Sequence, residues 1–282
     1  MIDYLLEIFG YTFMRNALFA GLMASVIFGL VGTFVVVKRI VFISGGISHA
    51  SFGGVGMAVF LGLNPLLGAA VFAVASALGI GAIGRQTIQR EDTAIGIVWA
   101  VGMALGAFFI SITPGYPISI SSFLFGNIIM LRTSDLYLML FTTLSIVVVT
   151  VLLYPRLQAV CFDEEFSRSV GASSHAIYLT LLVMVALSVV VLIRFVGIIL
   201  VIAMLAIPAS IAGEFTYDLK KIIIVSTSLS VLFVFMGLVI SFARDSIAGA
   251  TIVMLAGSAF LLVMVAKKIF RHYRHGKKTH PA

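Results

Sequence analysis

Apolar blocks uninterrupted by charge set the first limit on this chain. Ile177–Ile193 and Ile222–Ile240 each run without a charged residue. A helix needs about 20 apolar residues to cross a bilayer. In lipid the backbone must satisfy its own hydrogen bonds, which leaves helices or closed β-barrels. Barrel strands read as short alternating segments, and these blocks do not alternate. They read as spanning helices. Composition agrees: hydrophobic residues make up 61% and charged residues 10% of the 282 residues, against about 45–50% and about 25% in soluble globular domains. Soluble enzymes, disordered chains and fibrous proteins are excluded. The length has room for roughly eight to ten spans.

The pattern predicts spans at Phe13–Val37, Val41–Leu63, Leu66–Gly84, Thr93–Ile112, Leu136–Tyr154, His175–Ile193, Phe195–Ala212, Ile222–Phe242 and Ile247–Ala266. That is nine, or eight if Arg194 marks a kink rather than a turn. Phe123–Met130 is too short to span and reads as an interfacial or re-entrant piece. The first ten residues can form a short amphipathic helix. They carry Asp3 and Glu7 rather than the positive start of a signal peptide. No linker divides the chain. The expectation is an all-α polytopic membrane protein, one domain over residues 1–282, with an inner loop at 155–174 and a basic tail at 267–282.

The formal net charge is +7, and it is concentrated at one end of the chain. Lys267, Lys268, Arg271, Arg274, Lys277 and Lys278 supply all but one unit of it, with no acid among them. A short basic stretch after a span is a cytoplasmic anchor. It is not a nucleic-acid surface, because no folded domain carries the charge. With the N-terminus outside, the inner loops hold Lys38, Arg39, Arg85, Arg90, Arg156, Arg168, Lys220, Lys221 and the tail. The outer side keeps only Arg15, Arg132, Arg194 and Arg244. The expected topology is therefore N-terminus out, C-terminus in. Cys161 is the one cysteine, so no internal disulfide forms.

Two stretches carry most of the functional information. The first is Ile43–Gly56, which holds a single imidazole and no formal charge. At 1.5 Å per residue, His49 lies about 13–15 Å in from Ile40, near the middle of a core roughly 30 Å thick. Gly45, His49, Gly53 and Gly56 share one helical face, and Gly45-Gly46 can break the helix. Broken helices at mid-membrane often mark transport sites, and ionisable groups at that depth usually face a cavity or a partner. A histidine bonded across a glycine-rich helix contact fits the same spacing. Ser44 and Ser48 are the nearby side-chain oxygens.

The second stretch is Phe162–Ala172. It reads as a short helix with Asp163, Glu164 and Glu165 in its first turn, where the helix dipole favours acids. Arg168 lies one turn from Glu164 and can pair with it. Gly171 fits a C-terminal cap, and Phe162, Phe166 and Val170 form a stripe. A solvated connecting helix has the same pattern. His272, His275 and His280 sit in the basic tail, where their spacing makes a poor metal site. Trp99 reads as packing. No Gly-Lys-[Ser/Thr] phosphate loop is present, so this chain is not expected to be an enzyme or to hydrolyse ATP by itself.

Five pieces in order resemble the permease subunits of ATP-binding-cassette importers for divalent metals, the manganese/zinc/iron permeases. They are Ile47-Ser48-His49-Ala50, Glu91–Ile97, Leu124-Phe125-Gly126-Asn127-Ile128, Phe162–Phe166 with Arg168 and Gly171, and Val196–Leu200 leading to Ile207-Pro208-Ala209. The resemblance implies a multi-pass protein of a bacterial or archaeal cytoplasmic membrane, paired with a second permease copy around a central path. The second permease is another copy of this chain or a close relative of it. The resemblance also implies two cytoplasmic ATPase subunits that use the ATP, and an extracytoplasmic metal-binding protein that delivers the ion. The divalent metal is the transported substrate, with no permanently bound cofactor. Asp163, Glu164, Glu165, Phe166, Arg168 and Gly171 would form the coupling helix. His49, with Ser48 and Ser44, would touch the metal, and Gly45, Gly46, Gly53 and Gly56 would line the path or pack helices. Many such permeases carry an aspartate one turn before the histidine. Here that position is Gly45, so the pair is broken. Two other classes remain for comparison: a carrier or channel without an ATPase, and an intramembrane enzyme. An enzyme would need a polar catalytic set inside the spans, and the centre offers only His49 with hydroxyls.

Overall fold

The computed structural model describes residues 10–83, 88–115, 120–126, 131–162 and 174–276. Among them are nine helices and no strand: α1 (Thr12–Val37), α2 (Val41–Phe60), α3 (Pro65–Ile83), α4 (Ile88–Ile112), α5 (Ile120–Phe125), α6 (Thr133–Phe162), α7 (Ser174–Gly213), α8 (Leu219–Arg244) and α9 (Ala248–Gly276). Seven of these are long and apolar enough to cross a membrane: α1, α3, α4 and α6 to α9. The exception among the long helices is α2, which Gly45, Gly46, Gly53, Gly54, Gly56, His49 and three serines make less apolar. It tolerates this because its neighbours cover it. Most of α2 is buried, between α3, α4 and α7.

α7 spans 40 residues. Straight, it would be about 60 Å long, twice the thickness of a hydrocarbon core. It is not straight: Gly197 has φ 76° and ψ 167°, outside any helical region. The contacts show that the chain reverses there. Before the break, Leu179 and Leu182 lie against Gly81 at the C-terminal end of α3, and Arg194 reaches Asp135 at the N-terminal end of α6. After it, Leu205 lies against Gly32 of α1, and Glu214 pairs with Lys267 of α9. α7 is thus two antiparallel limbs. The expected turn near Arg194 is present, centred three residues later. With α2, the described residues make nine passes through the bundle.

The two ends of the bundle differ in chemistry. At one end, Lys38 donates to the Val160 carbonyl at 2.9 Å and lies 5.7 Å over the Tyr178 ring. Lys220 lies 5.5 Å over Tyr154, and Lys267 binds Glu214. Asp218 starts α8 there by accepting from the Lys220 and Lys221 amides at 2.9 and 3.4 Å, a cap that stabilises by about 1 kcal/mol. At the opposite end, Tyr11 and Phe13 pack on Phe242.

Several boundaries differ from expectation. α2 ends at Phe60 rather than Leu63, and α4 starts at Ile88 rather than Thr93. α6 runs through Pro155 to Phe162 instead of ending at Tyr154. Proline removes one helical hydrogen bond, but buried Leu157 and Val160 and the Lys38 bond hold the following turns in register. α9 continues past Ala266 to Gly276, so the basic tail begins as helix. The short piece expected at Phe123–Met130 is helical over Ile120–Phe125; residues 127–130 lie outside the described ones.

Candidate translocation site

Glycine sets how α2 meets its neighbours. A Cβ on Gly53 would come within 2.8 Å of the Gly102 carbonyl oxygen, and one on Gly56 within 2.5 Å of the Gly106 oxygen. Gly54 and Gly68 do the same between α2 and α3. A Cβ on Gly46 would meet the Ile95 side chain at 2.8 Å. Small residues let backbones approach in membranes, where close packing replaces the hydrophobic drive. Gly46, Gly53 and Gly56 therefore act as packing positions against α4.

His49 emerges beside this seam, half-buried. Its ring stacks on Trp99 of α4 at 4.2 Å between centroids and 12° between planes. Its Nδ1 lies 3.4 Å from the Met103 sulfur, one turn further along α4. Gly45 faces the same place: a Cβ there would touch Trp99 Cζ3 at 3.5 Å and Ile202 Cδ1 at 3.9 Å. The indole occupies the space next to the position of the missing aspartate. Spacing within one helix placed Gly45 and His49 on one face. It could not show that Trp99 and Met103, read as packing or passed over, meet that face from another helix.

Ser44 and Ser48 are fully buried. Ser44 donates to the Val41 carbonyl and Ser48 to the Ser44 carbonyl, both at 2.7 Å. Ser48 lies about 100° around the helix from His49. The structure does not bring these hydroxyls to the half-open imidazole. Among the described residues, no three His, Cys, Asp or Glu side chains gather as a metal cluster. The expected coupling residues Asp163, Glu164, Glu165, Phe166, Arg168 and Gly171 lie outside the described residues.

A separate cavity of about 620 Å³ lies on the other side of α2, lined by Ser51, Val55, Asn64, Phe123, Asp135 and Arg194 among others. Asp135 is buried, and Arg194 holds it at 3.1 Å. Its second oxygen accepts from the Arg132 amide at 3.1 Å and closes the start of α6. The carboxylate is thus committed to a helix start and an ion pair. Beside it, Gly126 (φ 73°) and Gly197 (φ 76°) press backbone to backbone, and Gly249 of α9 closes on the Phe125 and Val196 carbonyls. The described part of one sequence piece, residues 124–126, meets the start of another, 196–200, here.

Residues 10–267 match the model of the ABC 3 transport family. The chain belongs to that family. Relatives of this ABC 3 protein cover nearly its whole length. It is 40% identical over 255 residues to a protein of Chlamydia pneumoniae named "Probable metal transport system membrane protein", covering 88% of this chain and 87% of that one. It is 30% identical over 255 residues to the manganese transport system membrane protein MntC of Listeria monocytogenes, covering 90% and 91%. Among solved structures it resembles PsaBC from Streptococcus pneumoniae in complex with Fab, at 29% identity and a TM-score of 0.82, covering 93% and 95%. With its long apolar helices, this ABC 3 protein is a multi-pass protein of the bacterial cytoplasmic membrane.

Proposed function

We propose that this chain is the permease subunit of an ATP-driven importer of divalent transition-metal ions, of the manganese, zinc and iron class. Two permease copies line the path. Two cytoplasmic ATPase subunits supply the work through residues 163–171, and an extracytoplasmic metal-binding protein delivers the ion. The relatives named for metal and manganese transport support the cargo class. The end carrying Lys38, Lys220 and Lys267 is the cytoplasmic one, since basic residues collect there.

The observation that carries this reading is His49: a half-open imidazole deep in a glycine-knit helix that neighbouring helices shield from lipid. Nitrogen donors of this kind bind transition metals in their neutral form. Few fixed ligands suit a conduit, because an ion held tightly does not leave. The test is His49→Ala in the full complex, reconstituted in vesicles. Uptake should fall to background while the complex still assembles and hydrolyses ATP. Wild-type uptake in the assembled variant would show that the histidine only packs. Coupling has its own test in Phe166→Ala, which should loosen the ATPase by about 1–4 kcal/mol, as losing one anchor of a small interface does. Undiminished co-purification and transport would remove this segment from the mechanism.

A further inference from the structure

His49 does not stand alone on its face. Its Nδ1 and the Met103 sulfur are 3.4 Å apart. With the proton on Nε2, an ion about 2.0–2.1 Å from Nδ1 and about 2.3 Å from the sulfur, the zinc–thiolate value, would bridge that distance at an angle of roughly 100°, close to tetrahedral; with the proton on Nδ1 the same contact is a hydrogen bond donated to the sulfur. The two atoms can share one ion where they stand. The Trp99 stack fixes the plane of the imidazole, and both donor side chains are half-buried rather than sealed.

The chemistry of this pair is specific. Thioether sulfur is a soft donor and imidazole suits zinc, copper, iron and nickel, whereas manganese, magnesium and calcium prefer carboxylate, carbonyl and water oxygens. The hydroxyls nearest His49 in the sequence of α2 are not offered to the pair. Ser44 and Ser48 are enclosed and bonded to helix carbonyls. Position 45 is glycine, with the indole beside it.

We propose that Met103 ligates the transported ion together with His49, and that this nitrogen–sulfur pair favours divalent cations of the zinc class over manganese. The proposal rests on the reading that His49 touches the ion. It also supplies what that reading lacks. Two imidazoles, one from each copy, are short of the four ligands zinc takes; two copies of the pair provide two nitrogens and two sulfurs. Neutral thioethers hold such an ion less firmly than thiolates, which suits passage.

The experiment measures zinc and manganese binding to the purified permease–ATPase complex, without the extracytoplasmic binding protein, so that the latter's selectivity does not enter. Wild-type complex should bind zinc at least about tenfold more tightly than manganese. Met103→Leu, which conserves volume, should weaken zinc about tenfold or more, a loss that even the outer partners of a ligand can cause, and leave manganese within about twofold. The basic tail is the same in both proteins and cancels in the difference. Met103→Gln places an amide oxygen near the sulfur's position and should move the preference towards manganese; it also serves if the leucine variant does not assemble. An unchanged zinc-to-manganese ratio in assembled Met103→Leu or Met103→Gln overturns the role of Met103, as does a wild-type preference for manganese. Neither result touches His49. Wild-type uptake by the assembled His49→Ala complex overturns the reading beneath it instead.

Discussion

At the α2–α4 seam, Gly53 and Gly56 sit inside a regular helix and are glycine only because another backbone lies against them. At the turn between the limbs of α7, Gly126 and Gly197 face the same crowding and also have positive φ. The first joint needs space. The second needs space and a backbone conformation that other residues resist. The seam can therefore be loosened by degrees and leaves an imidazole half-open beside it. The turn has no such latitude, and the acid next to it is already spent on Arg194 and the start of α6. The two regions read as a candidate working face and a fixed joint.

The sharpest way to break this contrast is Gly197→Ala. With φ 76° and ψ 167°, Gly197 lies in a region that is essentially glycine-only and costs other residues about 1–3 kcal/mol. A Cβ there would also meet the carbonyl carbon of Phe125 at 2.5 Å. Strain and overpacking together should cost about 3 kcal/mol or more. The expected outcome is a large drop in melting temperature or no recoverable protein. A variant that melts with wild type would mean the turn is not fixed by its backbone.

At the seam, Gly56→Ala should cost less, about 1–3 kcal/mol. The added methyl meets the Gly106 backbone, which has no side chain to swing away, so α2 and α4 must part by a fraction of an ångström. No conformational strain adds to it. Thermal unfolding of Gly56→Ala and Gly197→Ala side by side tests the order, and a reversed order would remove the distinction between the joints. The seam variant should also reduce uptake, because Trp99 and Met103 ride on α4 and their spacing from His49 depends on the contact.

A smaller effect is expected at the acid beside the turn. The Arg194 side chain is 50% exposed, which screens its pairing with Asp135. A double-mutant cycle of Asp135→Asn and Arg194→Gln should give a coupling of about 0.2–1 kcal/mol that shrinks as salt rises. A salt-independent coupling of several kcal/mol would show that the pair is sealed from water in the membrane-embedded protein.

The passes of this bundle are legible in the sequence because apolar runs of sufficient length have one physical solution in lipid. Even α2 is legible, as an uncharged stretch between Arg39 and Asn64, although burial by its neighbours rather than its own apolarity lets it cross. The helix past Pro155 was not legible. Local rules stop a helix at proline, and what carries α6 onward is tertiary: the burial of Leu157 and Val160 and a bond from a lysine 122 positions away in the chain. The candidate site was half legible for the same reason. Periodicity places Gly45 and His49 together on one helix. It is silent on which face of α4 will meet them, so the stacking indole and the thioether became visible only once the helices were packed.

The smallest expected effect is at Gly45, where the same substitution made at Gly56 should cost almost nothing. A Cβ at Gly45 makes ordinary contacts with Trp99 and Ile202, at 3.5 and 3.9 Å, and both neighbours are side chains. Alanine is also the better helix former by about 1 kcal/mol. Gly45→Ala should therefore melt within about 1 kcal/mol of wild type and transport nearly as well, since it removes no donor. Gly45→Asp is the informative partner. Its Cβ fits equally well, but the carboxylate must displace the indole to reach the His49 face. It should lose some stability relative to Gly45→Ala and gain affinity for manganese, the ion that prefers oxygen. Equal stability with no gain would mean that the carboxylate points away and that positions 45 and 49 do not share an ion. If Gly45→Ala itself falls as far as Gly56→Ala, the indole lies closer than 3.5 Å to a Cβ at position 45, and Gly45 belongs to the seam rather than to the working face.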